Sequence, residues 1–134
     1  MGLDMYLDAK RFFWSDEEAP KVADLPIGYE VKYVIIEVAY WRKANAIHQW
    51  FVDNVQNGMD DCGTYYVSRE QLQELVDLCK KALANPSTAD GFFFGPTEYD
   101  DWYVQALHAT IEQIEKALTT LPEGKWDFEY KSSW

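Results

Sequence analysis

Residues 37–63 contain most of the side chains in this sequence that could do chemistry. Trp41, Arg42, Asn45 and His48 follow one another at short spacing in a segment that reads as a helix. An imidazole changes charge near neutral pH, so His48 is the natural candidate for a general base, with Arg42 and Asn45 within helical reach. A lone histidine beside apolar residues is more often a core residue bonded to a backbone carbonyl. We therefore predict a ligand-lining role for His48 and no catalytic residue.

The loop that follows carries Asp60, Asp61 and Cys62. Its carboxylates could hold a hard cation, but adjacent Asp side chains point apart and commonly bond nearby backbone in turns. Cys62 as a nucleophile would need a base, and only His48 could serve. We therefore expect neither a metal site nor a cofactor.

A second unusual stretch, residues 91–103, is rich in aromatic side chains and reads GFFFG, then EYDDWY. Three consecutive Phe cannot all point into one core, so at least one should face a pocket or a partner. Flat aromatic walls with one Arg suit a planar ligand or an aromatic-anchored protein interface. Arg42 is the residue suited to holding a phosphate or carboxylate. The predicted lining consists of Trp41, Arg42, Asn45, His48, Phe93, Tyr99 and Trp102.

No strong catalytic signature occurs in the sequence. It has no phosphate-binding glycine loop, dinucleotide fingerprint, paired-His zinc motif, nucleophile elbow or calcium loop. Their absence weakens the case for an enzyme without excluding one.

The composition predicts one acidic globular domain over residues 1–134. The net charge of −11 repels phosphate backbones and anionic surfaces, so we expect no direct nucleic-acid binding. No apolar stretch is long enough to span a bilayer, so we expect no membrane partner. Cys62 in a loop and Cys79 on the apolar face of a helix indicate neither a disulfide framework nor a zinc site, which fits the cytoplasm.

Hydrophobic periodicity predicts an α+β fold, in which a small, mostly antiparallel sheet packs with helices. Strands are expected at about 3–13, 30–40 and 125–132, and residues 64–67 could form another. Helices are expected at about 42–56, 69–84 and 98–120. The run from Glu30 to Tyr40 is nearly continuously apolar and β-branched, which predicts a central strand covered on both faces. Glu37 interrupts that run and reaches either solvent or the edge of a pocket.

Two local signals mark helix ends. Ser68 and Gln71 form a capping box at the start of the second helix. Asn57 and Gly58 tolerate the left-handed conformation that ends a helix.

Several segments together resemble a group of short proteins encoded by bacteriophages and prophages. They are MGLDMYL, EVAYWRKANAIHQWFV, DDCGTY, GFFFG with EYDDWY, and the terminal SSW. The resemblance covers almost the whole chain. It implies a phage accessory protein made in the cytoplasm of the host cell, and it assigns no activity and no site residue.

The expected function is therefore a non-enzymatic binding protein acting in host takeover or in evasion of host defences. Its partner would be a host protein or a small planar, nucleotide-like ligand, and the chain could be a homo-oligomer. Two alternatives remain open: a small enzyme using His48 with Asp60 or Asp61, and an acidic nucleic-acid mimic that inhibits a basic host enzyme.

Overall fold

The computed structural model describes residues 2–14, 16–84 and 101–134, and the predicted site residues Phe93 and Tyr99 lie outside them. The strands in these ranges are β1 (Asp4–Phe12), β2 (Tyr33–Arg42), β3 (Tyr65–Val67) and β4 (Asp127–Ser133). The helices are α1 (Asn45–Asn54), α2 (Arg69–Ala84) and α3 (Asp101–Thr120). All strand pairs are antiparallel, in the order β2-β1-β4-β3. The predicted α+β class and the short strand at 64–67 are confirmed.

The sheet buries only one of its two faces. In β1, Met5, Leu7 and Ala9 are fully buried, whereas the residues between them are partly exposed. In β4, Phe128 and Tyr130 are buried and their neighbours are not. This period of two is what a strand shows when helices cover a single face. The charged and aromatic side chains of the other face remain at the surface.

The prediction that the apolar strand at 30–40 is central was wrong. Among the described residues, β2 lies at the edge of the sheet and pairs with β1 alone. Only Ala39 and Trp41 of β2 are buried, and Glu37 is exposed. Val38 forms a β-bulge in this strand. Leu7 of β1 pairs with Ala39 and the next residue of β1 pairs with Glu37, so Val38 has no partner on β1. A run of β-branched residues indicates a strand, but it does not reveal whether anything covers that strand.

The prediction that the first helix begins at residue 42 was also wrong. Trp41 and Arg42 pair with Met5 and Asp4, so the aromatic end of the segment continues β2. The chain turns at Lys43, whose φ of 56° is left-handed and whose N–H donates to the Leu3 carbonyl over 2.8 Å. Helix α1 therefore begins at Asn45. After it, Asn57 and Gly58 have φ of 54° and 78°, the left-handed conformation expected of them.

The helices contribute most of the remaining core. Ser68 Oγ accepts from the Gln71 N–H over 3.1 Å while the Gln71 carboxamide accepts from the Ser68 N–H over 2.9 Å, which confirms the capping box at α2. The Arg69 guanidinium donates to the Leu118 and Leu121 carbonyls at the end of α3. A positive charge at the C-terminal end of a helix interacts favourably with the helix dipole. Within the described ranges, no helix combines the length and hydropathy needed to cross a bilayer. Fully buried helix residues include Ile47, Phe51, Leu72, Leu75, Val76, Cys79, Leu107 and Ile114.

Replacing a buried helix side chain should destabilise the protein strongly. Leu75→Ala removes a fully buried side chain of α2, so the free energy of unfolding should fall by about 2–5 kcal/mol, measured by urea denaturation. The matched control is Leu25→Ala, at a position that is 39% exposed, where the change should stay within about 0.5 kcal/mol. A loss below about 1 kcal/mol at Leu75 would contradict the packing of α2.

Candidate functional site

A row of buried aromatic side chains connects the sheet to two helices. Trp41 projects from the core face of β2, and its indole N–H donates to Thr110 Oγ1 of α3 over 2.6 Å. The Trp41 ring lies beside Phe51 of α1, with centroids 5.8 Å apart. Phe51 in turn stacks on Tyr130 of β4, with centroids 3.7 Å apart and ring planes within 4° of parallel. The row fixes Trp41 in place at the edge of the sheet.

Beside Trp41, the end of β2 and the first half of α3 enclose a groove of about 310 Å³, here called the β2–α3 groove. The Trp102 side chain, in the first turn of α3, is 48% exposed. Its ring meets that of the buried Tyr103 edge to face, with centroids 5.8 Å apart. The groove is lined by Tyr40, Trp41, Arg42, Ala44, Trp102, Gln105, Ala106 and Ala109.

The charged group and the hydroxyl of the groove come from the end of β2, and Gln105 of α3 adds a carboxamide. Arg42 is exposed, and no carboxylate in ranges 2–14, 16–84 and 101–134 lies within ion-pairing distance of its guanidinium. The Tyr40 hydroxyl instead donates to Asp4, and this hydrogen bond to a carboxylate raises the pKa of Tyr40. Tyr40 therefore stays neutral, and Arg42 supplies the positive charge of the groove.

Three of the seven predicted lining residues, Trp41, Arg42 and Trp102, meet in the β2–α3 groove. Asn45 and His48 do not line the groove. Asn45 is exposed at the first position of α1. Phe93 and Tyr99, and with them the expected meeting of the Phe-rich loop with the central helix, fall outside the described residues.

Sequence reasoning missed the small residues of the groove, although a signal for them exists. Trp102, Ala106 and Ala109 recur at the i, i+4, i+7 spacing of one helix face, next to the apolar face that α3 buries. Alanine on such a stripe leaves room beside a large aromatic ring. Tyr40 was missed because its strand was taken for a central one covered on both faces, and Ala44 because the segment from 42 onward was taken for helix.

His48 belongs to a different cluster, near the end of the chain. The ring is buried; Nδ1 lies 2.6 Å from the Tyr130 hydroxyl and Nε2 lies 2.9 Å from Asp60 Oδ1. The same Asp60 oxygen accepts from the Trp134 indole over 3.0 Å. His48 is thus buried, as a lone histidine beside apolar residues more often is, but its two partners are side chains and not a backbone carbonyl.

This cluster leaves the imidazole no free nitrogen. Burial raises the pKa of Tyr130, so its hydroxyl stays protonated. With that hydroxyl donating to Nδ1, the Nε2–H donates to Asp60, and both ring nitrogens have a partner. A base that takes a proton from a substrate needs an open nitrogen, and in this arrangement His48 has none.

In the loop at 60–63, the Asp61 carboxylate is engaged in local hydrogen bonds. Asp61 accepts from the Gly63 N–H over 3.0 Å and from the Tyr65 hydroxyl over 2.7 Å, and these hydrogen bonds, the Tyr65 one most, lower the pKa of Asp61. Cys62 is exposed beside it, with a left-handed φ of 59°. Among the described residues, no three His, Cys, Asp or Glu side chains are grouped closely enough to hold a metal ion.

The two cysteines should differ sharply in reactivity. Burial raises the pKa of the Cys79 thiol to about 12, so at about pH 8 it is both protonated and shielded, whereas Cys62 is exposed. Titration with a chromogenic disulfide reagent should find one fast thiol per native chain and two after denaturation. The native Cys62→Ser variant should lose the fast phase; a fast thiol remaining in that variant would contradict the burial of Cys79.

No protein-family model, curated protein or solved structure matches this sequence. The functional assignment therefore rests on the geometry and chemistry of the β2–α3 groove.

Proposed function

We propose that this chain is a non-enzymatic binding protein, an accessory protein of a phage acting in the host cytoplasm in host takeover or evasion of host defences. Its β2–α3 groove holds a small planar ring that carries a phosphate or carboxylate, as a nucleotide does. The observation that carries this proposal is the convergence of Trp41, Trp102 and Arg42 on one groove.

The aromatic wall suits stacking because it is both exposed and well supported. About half of the Trp102 surface is open, so a flat ring can cover it. Behind it, the Tyr103 hydroxyl accepts from the backbone N–H groups of Ala46 and Ile47, over 2.8 and 3.3 Å, at the start of α1. A rigid support lowers the entropy lost when a ligand binds. The alanines of α3 leave space for the ring.

The anion would be recognised by direct contact with Arg42. A protein with a net charge of −11 repels anions at long range, so their binding requires short, charge-assisted hydrogen bonds. A guanidinium offers two parallel donors to a phosphate or carboxylate. The groove volume of about 310 Å³ is at the lower end for ligand sites, which favours a ligand no larger than a mononucleotide.

The alternative functions receive less support. The hydrogen bond between His48 and Asp60 matches the pairing expected of an enzyme, but both ring nitrogens of His48 already have partners. A nucleic-acid mimic would gather its carboxylates on one face. Here Asp8 and Glu129 lie on the open face of the sheet, whereas Glu74 is exposed on α2, which packs on the opposite face.

Titration with the four ribonucleoside 5′-monophosphates tests the proposal, with binding followed by tryptophan fluorescence and calorimetry. At least one should bind more tightly than its uncharged nucleoside. Arg42→Gln should weaken nucleotide binding about tenfold to a hundredfold and abolish the preference over the nucleoside. Trp102→Ala should weaken both ligands, because loss of ring stacking costs about 1–3 kcal/mol.

Matched controls separate the groove from the rest of the surface. Trp14→Ala removes another exposed indole and Lys80→Gln another exposed cation, and neither residue lines the groove, so both variants should bind as the unchanged protein does. Failure of all four nucleotides to bind at millimolar concentration, or unchanged binding by Trp102→Ala, would overturn the proposal.

A further inference from the structure

The first half of β2, residues 33–37, is an apolar strand with an open edge. Tyr33, Ile35 and Ile36 are 53%, 58% and 38% exposed, and β1 is the only strand that pairs with this segment among the described residues. Long apolar edges are usually blocked by charge, proline or a covering element, and otherwise they pair. We propose that a second copy of this chain pairs here, edge to edge and antiparallel, about a two-fold axis at Ile35.

The backbone of this segment presents alternate residues to the free edge. The Phe13 N–H donates to the Lys32 carbonyl over 2.8 Å, so the polar groups of residue 32 point toward β1. Because these groups alternate in an antiparallel ladder, those of Tyr33, Ile35 and Glu37 point away from β1. They are the donors and acceptors that a second copy would satisfy.

The bulge at Val38 selects the register. Beyond Val38 the alternation of faces changes, so regular pairing is confined to residues 33–37. A two-fold axis at Ile35 is the arrangement that pairs all five of them. It sets Ile35 opposite Ile35 of the second copy, Tyr33 opposite Glu37, and Val34 opposite Ile36, with each pair on one face of the joined sheet.

Charge in this register is complementary rather than repulsive. Glu37 is the only charged residue of the five, and it lies opposite Tyr33 of the second copy. Within each chain, the Lys10 ammonium lies 4.5 Å from the centroid of the Tyr33 ring. Glu37 of one copy therefore faces a ring that already carries a cation. This local match lets two chains of net charge −11 approach along this edge.

Aromatic side chains extend the apolar surface at the end of the pairing segment. Phe12 lies beside Tyr33, with centroids 5.0 Å apart, and Trp14 meets Phe12 edge to face at 4.7 Å. Trp14 is 65% exposed. Large exposed aromatic rings are typical anchors of protein interfaces. In the dimer this row would flank the joined strands at both ends.

Sedimentation equilibrium over a range of concentrations tests the pairing. The unchanged protein should have the mass of two chains at high micromolar concentration, and Ile35→Lys should have the mass of one, because it sets two ammonium groups against each other at the axis. The control Tyr66→Lys alters an exposed aromatic residue on β3, at the opposite edge of the sheet, and should remain dimeric. Circular dichroism melts of each variant confirm that it is folded.

A cross-link tests the register itself. In a Cys62→Ser background, Ile35→Cys should form a disulfide-linked dimer on mild oxidation, since paired residues at such an axis have Cα atoms about 5.5 Å apart. Tyr66→Cys in the same background should not form one. The proposal is overturned if the unchanged protein is monomeric, or if the Ile35→Lys variant remains a dimer. A monomer would indicate that a different protein pairs with this edge. The nucleotide titrations are independent of either outcome.

Discussion

The stack of Phe51 on Tyr130 holds the described part of this protein together. Its rings are parallel within 4° and joined face to face, so helix α1 is fixed against strand β4. Trp41 extends the contact to β2 and, through Thr110, to α3. At the other end the Tyr130 hydroxyl reaches His48. Buried aromatic side chains contribute large apolar areas, and their few polar atoms here all have partners, which is the condition for burying them at low cost.

Because this core lies on one face of the sheet, the proposed functional surfaces lie where it ends. The β2–α3 groove lies beside Trp41, between the end of β2 and the first half of α3. The apolar edge at residues 33–37 is the other half of β2, where Tyr33, Ile35 and Ile36 are 53%, 58% and 38% exposed. The proposed ligand site and the proposed pairing edge thus share one strand, with the bulge at Val38 between them. The two surfaces are separate, so binding at one does not require the other.

Local patterns predicted the elements of this fold better than their positions. The strand expected at about 3–13, the capping box at Ser68 and the helix expected at about 69–84 each depend on neighbours in sequence, and each was confirmed. The location of β2 at the sheet edge depends on partners far along the chain, which an apolar run does not reveal. The same limit applied at the site. Trp41, Arg42 and Trp102, chosen by residue type, lie together in the β2–α3 groove. His48 lies away from it and contacts Tyr130, which sequence spacing cannot predict.

The indole N–H signals of the six tryptophans, followed by two-dimensional NMR during addition of nucleoside monophosphates, would show where a nucleotide binds. Each signal reports on one known place in the fold. If the ligand binds in the β2–α3 groove, the Trp41 and Trp102 signals shift together and saturably, while those of Trp14 and Trp134 stay in place. Shifts confined to Trp14 or Trp134, or no shift at any indole, would contradict a ligand site in the β2–α3 groove.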